Sequence, residues 1–199
     1  MPDAYSPRLD DAVLLAMQSF RGVTRKGTDI PYLTHLLHVM VLVGEYGGDE
    51  DQMIGAVLHD WLEDIEGADL NALSERFGPR VAGYVRALSD SDTHPKPPWK
   101  ERKHAYIAHL QHEAHDLKLI SAADKLHNCM SIRRDHAEIG PRIWERFSGG
   151  RRGTLWYYDA VTIALGVGWD HALHRRLRAE VDGLLADAEA EAGAGLESS

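Results

Sequence analysis

The sequence has little cysteine, and it has no long apolar run. Its single cysteine, Cys129, cannot form an intramolecular disulfide, which excludes a disulfide-stapled secreted scaffold. No apolar segment reaches the roughly 20 residues that a membrane-spanning helix requires. The N-terminus lacks the basic start and the apolar core of a signal peptide. These features predict a cytoplasmic protein without a membrane partner.

Basic charge is also scarce. The 199 residues include 22 lysines and arginines against 31 aspartates and glutamates, which gives a formal net charge of −9. Because proteins bind nucleic acids largely by neutralising phosphates, this balance argues against a nucleic-acid partner. A local basic cluster can still hold one small anionic ligand on an acidic protein.

Strand-like alternation is missing as well, whereas helical spacing of apolar residues recurs along the chain. We expect an all-α, single-domain helical bundle of about eight to ten helices, with a core of ordinary size. The predicted domain spans residues 8–192, and residues 1–7 and 193–199 are expected to be disordered. Glycines and arginines in residues 140–153 predict a mobile loop.

Four ionisable residues lie within an apolar run, residues 53–65. The spacing predicts one buried helix, on which His59 stacks over Glu63 and Asp60 over Asp64. Burying these charges unpaired costs on the order of several kcal/mol, and a bound cation is the simplest compensation. The alternative is a chance His-Asp pair beside solvated surface acids.

Two further polar residues occur in apolar surroundings. His35 lies on the apolar side of the predicted second helix, although a histidine there is more often a hydrogen-bonded core residue. Asp124 follows an apolar stretch, and its alternative role is an ion pair with a nearby basic side chain. The candidate metal ligands are therefore His35, His59, Asp60 and Asp124. Two nitrogen and two oxygen ligands without cysteine suit manganese, magnesium or iron better than structural zinc.

Four short motifs follow one another along the chain. They are R-K…P-Y-x-x-H (Arg25 to His35), H-D-x-x-E-D (His59 to Asp64), F-G-x-x-V-A (Phe77 to Ala82) and A-D-K-L-x-N (Ala123 to Asn128). Together they resemble the HD superfamily of metal-dependent phosphohydrolases. They are most similar to the hydrolase domain of RelA/SpoT proteins and to the stand-alone small alarmone hydrolases.

The resemblance implies an enzyme that removes the 3′-pyrophosphate of (p)ppGpp or (p)ppApp. The products are pyrophosphate and the nucleoside 5′-di- or triphosphate, and the usual cofactor is one manganese ion per chain. His35, His59, Asp60 and Asp124 match the metal ligands, and Glu63 and Asp64 match the catalytic acids that orient and deprotonate water. The matching substrate-binding residues are Arg25, Lys26, Tyr32, Lys96, Asn128, Ser131, Arg152 and Trp156.

Departures from the family pattern lie on the nucleotide side of the site. Phe20 and Val23 stand where many relatives carry His and Gln, so an adenine nucleotide is an alternative to the guanine one. A second alternative is another HD phosphohydrolase, such as a nucleoside monophosphatase or an NADPH 2′-phosphatase. A third is a non-catalytic nucleotide-binding HD module. The oligomeric state stays open, with a dimer as one alternative.

Overall fold

The chain is helical, as the apolar spacing predicts. A computed structural model describes residues 4–89 and 97–197, without the side chains of residues 192–197. The only β pairing in these ranges is an isolated antiparallel bridge between Thr24 and Pro31. The helices are α1 (Pro7–Ser19), α2 (Leu33–Glu45), α3 (Glu50–Val57), α4 (Trp61–Asp64), α5 (Leu70–Phe77), α6 (Pro79–Leu88), α7 (Trp99–Leu110), α8 (His115–Ile139), the 3-10 helix η1 (Gly140–Arg146), α9 (Gly150–Gly166) and α10 (Ala172–Glu197). The all-α prediction is confirmed.

The helices form two compact units. Unit 1 comprises residues 1–97 and 113–124, and unit 2 comprises residues 98–112 and 125–199. The predicted limits of residues 8 and 192 stay predictions, although α1 begins at Pro7 and α10 extends to Glu197. None of the helices described is long and apolar enough to cross a bilayer.

Unit 1 is built around α3, against which α1, α2 and α6 pack. Its core includes the fully buried side chains of Phe20, Leu36, Ile54 and Phe77. Burying one such side chain contributes roughly 1.5–3 kcal/mol, which explains why these amphipathic helices associate. Asp49 caps α3, because its carboxylate accepts from the backbone N–H of Gln52 while the Gln52 side chain accepts from the Asp49 N–H.

The predicted continuous helix over residues 53–65 is wrong. Helix α3 ends at Val57 and α4 begins at Trp61, so that His59 and Asp60 lie in a turn. The His59 Nδ1 lies 2.7 Å from the carbonyl oxygen of Ala56. In a continuous helix this carbonyl accepts from the backbone N–H of Asp60, so the imidazole competes with the helix for its acceptor. The helical stacking of His59 over Glu63 therefore does not apply.

Unit 2 contains α7, η1, α9 and α10, and α9 packs against the other three. Residues 140–153, for which a mobile loop is predicted, are instead largely helical, since η1 occupies the first half and α9 begins at Gly150. The predicted mobility stays a prediction. Gly149 and Gly153 lie against the ring of Trp99, where a Cβ atom would come within 2.7 Å and 3.2 Å of ring carbons. These glycines therefore make room for an aromatic ring.

Candidate metal centre and active site

Three segments of unit 1 bring four ionisable side chains together. Helix α2 supplies His35, the turn between α3 and α4 supplies His59 and Asp60, and α8 supplies Asp124. His35, His59 and Asp124 are 0%, 3% and 6% exposed, which is exceptional for ionisable groups. The expected ligands therefore meet in the interior of the unit.

The two imidazoles face the two carboxylates through their Nε2 atoms. His35 Nε2 lies 3.2 Å from Asp124 Oδ1 and 3.8 Å from Asp60 Oδ2. His59 Nε2 lies 2.8 Å from Asp60 Oδ2 and 3.7 Å from Asp124 Oδ1. The rings meet edge to face, with centroids 5.2 Å apart. Both Nε2 atoms thus face the same small region between the carboxylates.

Burial and the facing charges change the pKa values of these groups in opposite directions. Burial lowers the pKa of His35, and Asp124 offsets this only in part. Burial also acts to lower the pKa of His59, but Asp60 and Asp124 outweigh it and raise that pKa well above the usual value. The pKa of Asp60 is lowered, because the facing imidazoles outweigh the effect of burial. The site therefore favours positive charge between its carboxylates.

The donor set fits a divalent metal ion. One ligand atom each from His35, His59 and Asp124 lie within 4.8 Å of one another. Asp60 adjoins this cluster through the oxygen that faces both imidazoles. The Nδ1 of His59 faces a carbonyl oxygen, which can only accept, so Nδ1 carries a proton and Nε2 is the atom available to a metal. Mixed imidazole and carboxylate ligands are common for catalytic divalent ions.

Tyr32 and Arg25 lie beside the metal ligands. The Tyr32 hydroxyl donates a hydrogen bond of 2.6 Å to Asp60 Oδ2, and burial together with Asp60 raises the pKa of that hydroxyl well above its usual value. The Tyr32 ring stacks on Phe20, with centroids 5.5 Å apart, and the Arg25 guanidinium lies 5.6 Å from the Tyr32 ring centroid. Lys26 is exposed on the same loop. The sequence did not predict the bond between Tyr32 and Asp60.

The two expected catalytic acids lie on the short helix α4. Glu63 is half-buried and Asp64 is exposed, and both line a cleft of about 530 Å³ that runs from Leu62 to Ala68. Helix α4 directly follows the turn that carries His59 and Asp60. The acids are therefore accessible to a substrate, whereas the expected ligands are largely buried.

The remaining expected nucleotide contacts lie in unit 2 or outside the described residues. Asn128 and Ser131 lie on α8, and the Ser131 hydroxyl donates to the carbonyl oxygen of His127. Arg152 is exposed on α9, and Trp156 on the same helix packs against His104, with ring centroids 4.5 Å apart. Lys96 lies outside the residues that the structure describes.

Comparison with known families identifies an HD domain over residues 12–155. A Danio rerio protein named guanosine-3′,5′-bis(diphosphate) 3′-pyrophosphohydrolase MESH1 is 30% identical over 155 residues, which are 72% of this chain and 84% of that protein. The bifunctional (p)ppGpp synthase/hydrolase SpoT of Escherichia coli K12 is 28% identical over 173 residues. That match covers 84% of this chain but 23% of SpoT.

Solved structures show the same architecture. One, described as a metazoan ortholog of SpoT that hydrolyses ppGpp and plays a role in starvation responses, has a TM-score of 0.76 and is 25% identical. The match covers 91% of the present chain and 97% of the chain in the solved structure. The crystal structure of lmo0812 from Listeria monocytogenes EGD-e has a TM-score of 0.69 at 24% identity, over 75% of this chain and 97% of that one, and shows likeness of fold alone.

Proposed function

Since this chain belongs to the HD-domain family, we propose that it is a metal-dependent 3′-pyrophosphohydrolase of purine alarmone nucleotides. Water attacks the phosphorus next to the ribose 3′-oxygen, and the bond between these two atoms breaks. The products are pyrophosphate and a nucleoside 5′-di- or triphosphate with a free 3′-hydroxyl. The relatives named for hydrolysis of guanosine 3′,5′-bis(diphosphate) support this substrate class.

One observation carries the proposal. His35, His59 and Asp124 form a buried cluster, and the chain continues from His59 and Asp60 straight into helix α4, whose Glu63 and Asp64 line a cleft. If the cluster served only to stabilise the fold, it would not need two accessible acids on the next helix. Metal-assisted hydrolysis of a phosphate ester needs both parts, a site for the ion and a group that takes a proton from water.

His35, His59, Asp60 and Asp124 would hold the ion, which we propose to be manganese. When bound, such an ion supplies Lewis-acid polarisation of a phosphate oxygen and lowers the pKa of water. Glu63 and Asp64 would orient the attacking water and accept its proton. Positioned general bases typically contribute about 10²–10⁴-fold to a rate.

Arg25 and Lys26 would bind the nucleotide, because they place positive charge on a loop beside the metal ligands. The side chain of Phe20 has no polar group to offer a purine base. It is also 1% exposed and stacks on Tyr32. This supports testing adenine and guanine nucleotides together. The contributions of Lys96, Asn128, Ser131, Arg152 and Trp156 stay predictions.

The test is product release from guanosine and adenosine 3′,5′-bis(diphosphates), measured separately for pyrophosphate and for inorganic phosphate. We expect pyrophosphate release that stops with a chelator and returns most fully with manganese, compared with magnesium and zinc. Release of inorganic phosphate alone would indicate cleavage of a terminal phosphoanhydride bond and not of the bond to the ribose 3′-oxygen, which would refute the proposed reaction. A protein that binds manganese but releases neither product would refute the proposal in favour of another HD phosphohydrolase, such as a nucleoside monophosphatase or an NADPH 2′-phosphatase. Failure to hydrolyse nucleoside monophosphates and NADPH as well would leave the non-catalytic HD module.

A further inference from the structure

The backbone of Tyr32 is fixed on both sides. Its N–H donates to the carbonyl oxygen of Val23 at 2.9 Å, next to the bridge between Thr24 and Pro31. Tyr32 is also the residue before α2, and its carbonyl oxygen accepts from the backbone N–H of His35. The Cα atom of Tyr32, from which the side chain extends, is therefore held in place relative to His35, the first expected metal ligand.

The ring of Tyr32 is held on several sides. Phe20 stacks on it at 5.5 Å with an interplanar angle of 19°, and His35 meets its edge at 5.4 Å and 67°. The Arg25 guanidinium lies 5.6 Å from the Tyr32 ring centroid. Because a tyrosine has few rotatable bonds, fixing the ring also fixes the position of its hydroxyl oxygen.

The Asp60 carboxylate does not cap helix α4, and its partners are the Tyr32 hydroxyl and the His59 Nε2, the latter at 2.8 Å. Asp60 precedes α4 in a turn with φ −94° and ψ 1°. The Tyr32 hydroxyl donates to Asp60 Oδ2 at 2.6 Å, from 28 residues earlier in the chain. Carboxylates that bind metals are commonly held by hydrogen bonds from neighbouring groups.

We propose that Tyr32 is a positioning residue, whose hydroxyl holds the Asp60 carboxylate in the orientation that binds the metal ion. The family resemblance implies a nucleotide contact for Tyr32, whereas the geometry ties its hydroxyl to an expected metal ligand. Since Arg25 lies over the same ring, Tyr32 also connects the expected nucleotide loop with the metal site. This inference rests on the proposed metal-dependent function.

The test compares Tyr32→Phe with Tyr84→Phe. The two tyrosines are closely matched, because the Tyr84 hydroxyl donates to Asp116 at 3.0 Å and the Arg80 guanidinium lies 5.4 Å from the Tyr84 ring centroid. Asp116 is not among the expected metal ligands. Manganese chloride is titrated calorimetrically into each chelator-treated, substrate-free protein. We expect Tyr32→Phe to raise the manganese Kd about 10- to 100-fold, and Tyr84→Phe to leave it at the wild-type value.

Kinetics supply the second measurement. With Tyr32→Phe, we expect kcat to fall at limiting manganese and to recover as manganese is raised, while the KM for the nucleotide changes less than about twofold. An unchanged manganese Kd with a raised KM would assign the hydroxyl to the nucleotide and overturn the inference. A wild-type protein that neither binds manganese nor releases pyrophosphate would overturn the proposed function together with this inference.

A further variant covers the case in which Tyr32→Phe does not fold. Phe20→Leu keeps the Tyr32 hydroxyl but removes the ring stacked on it. We expect it to weaken manganese binding less than Tyr32→Phe does, because the hydroxyl is present but less well placed. Wild-type manganese affinity in a folded Phe20→Leu protein would count against the inference.

Discussion

Substitution of Gly149 by alanine tests the packing of unit 2. The added Cβ would lie 2.7 Å from Trp99 Cη2 and 3.0 Å from two further ring carbons. Favourable carbon contacts lie at about 3.5–4.0 Å, so the indole ring has to retreat by roughly 1 Å. Trp156 and Tyr157 each meet the Trp99 ring at 6.3 Å, which restricts that movement.

The backbone at Gly149 does not oppose alanine, because its φ is −80°. The expected loss is therefore steric, about 1–3 kcal/mol of unfolding free energy for an overpacked site. A chain of this length shifts its Tm by about 2–4 °C per kcal/mol, so the Tm should fall by about 2–12 °C. Loss of a glycine cap at the start of α9 acts in the same direction.

Gly83→Ala is the matched control for this experiment. Gly83 lies within α6, and no heavy atom lies within 4 Å of the position of its added Cβ. Alanine there should stabilise the protein by about 0.5–1 kcal/mol, because it reduces the entropy lost on helix formation. Scanning calorimetry of both variants should give Tm changes of opposite sign. A rise in Tm for Gly149→Ala would refute the assigned contact with Trp99.

Three further predictions concern the site and its scaffold. Asp124→Ala should abolish calorimetric manganese binding and pyrophosphate release together, and full activity would remove Asp124 from the site. Glu63→Gln should keep the metal but lower kcat by about 10²–10⁴-fold, so an unchanged kcat would exclude Glu63 from proton transfer. Asp49→Ala removes the cap of α3 and should cost about 1 kcal/mol in denaturant unfolding. Asn71→Ala, which changes no capping side chain, should cost less.

The chemistry at three helix starts is of a kind that a sequence displays directly. Asp49 and Asp69 cap α3 and α5, and Pro79 begins α6, as their side-chain chemistry predicts. His35 and Asp124 were identifiable because polar residues in apolar segments need a partner. Both are buried in the expected cluster. These predictions depend on nearest neighbours in the chain, which a sequence displays directly.

The features that the sequence did not predict depend on tertiary contacts, or on competition between the His59 imidazole and the Asp60 N–H for the Ala56 carbonyl oxygen. The apolar spacing continues through residues 53–65, so nothing in it marks the end of α3. The bond from Tyr32 to Asp60 joins residues 28 positions apart. Gly149 and Gly153 suggested a loop, because a sequence does not show that Trp99 fills the space beside them.

The turn between α3 and α4 affects how His59 variants have to be interpreted. The imidazole is at once a candidate ligand and the group that takes the Ala56 carbonyl from the helix. Replacing it with a side chain that cannot donate there frees this carbonyl for the N–H of Asp60, and α3 can then continue into α4. Asp60 would then rotate away from the position in which Tyr32 holds it. We therefore expect a His59 variant to change the backbone path as well as to remove one nitrogen ligand, whereas an Asp124 variant leaves the Ala56 carbonyl with its partner.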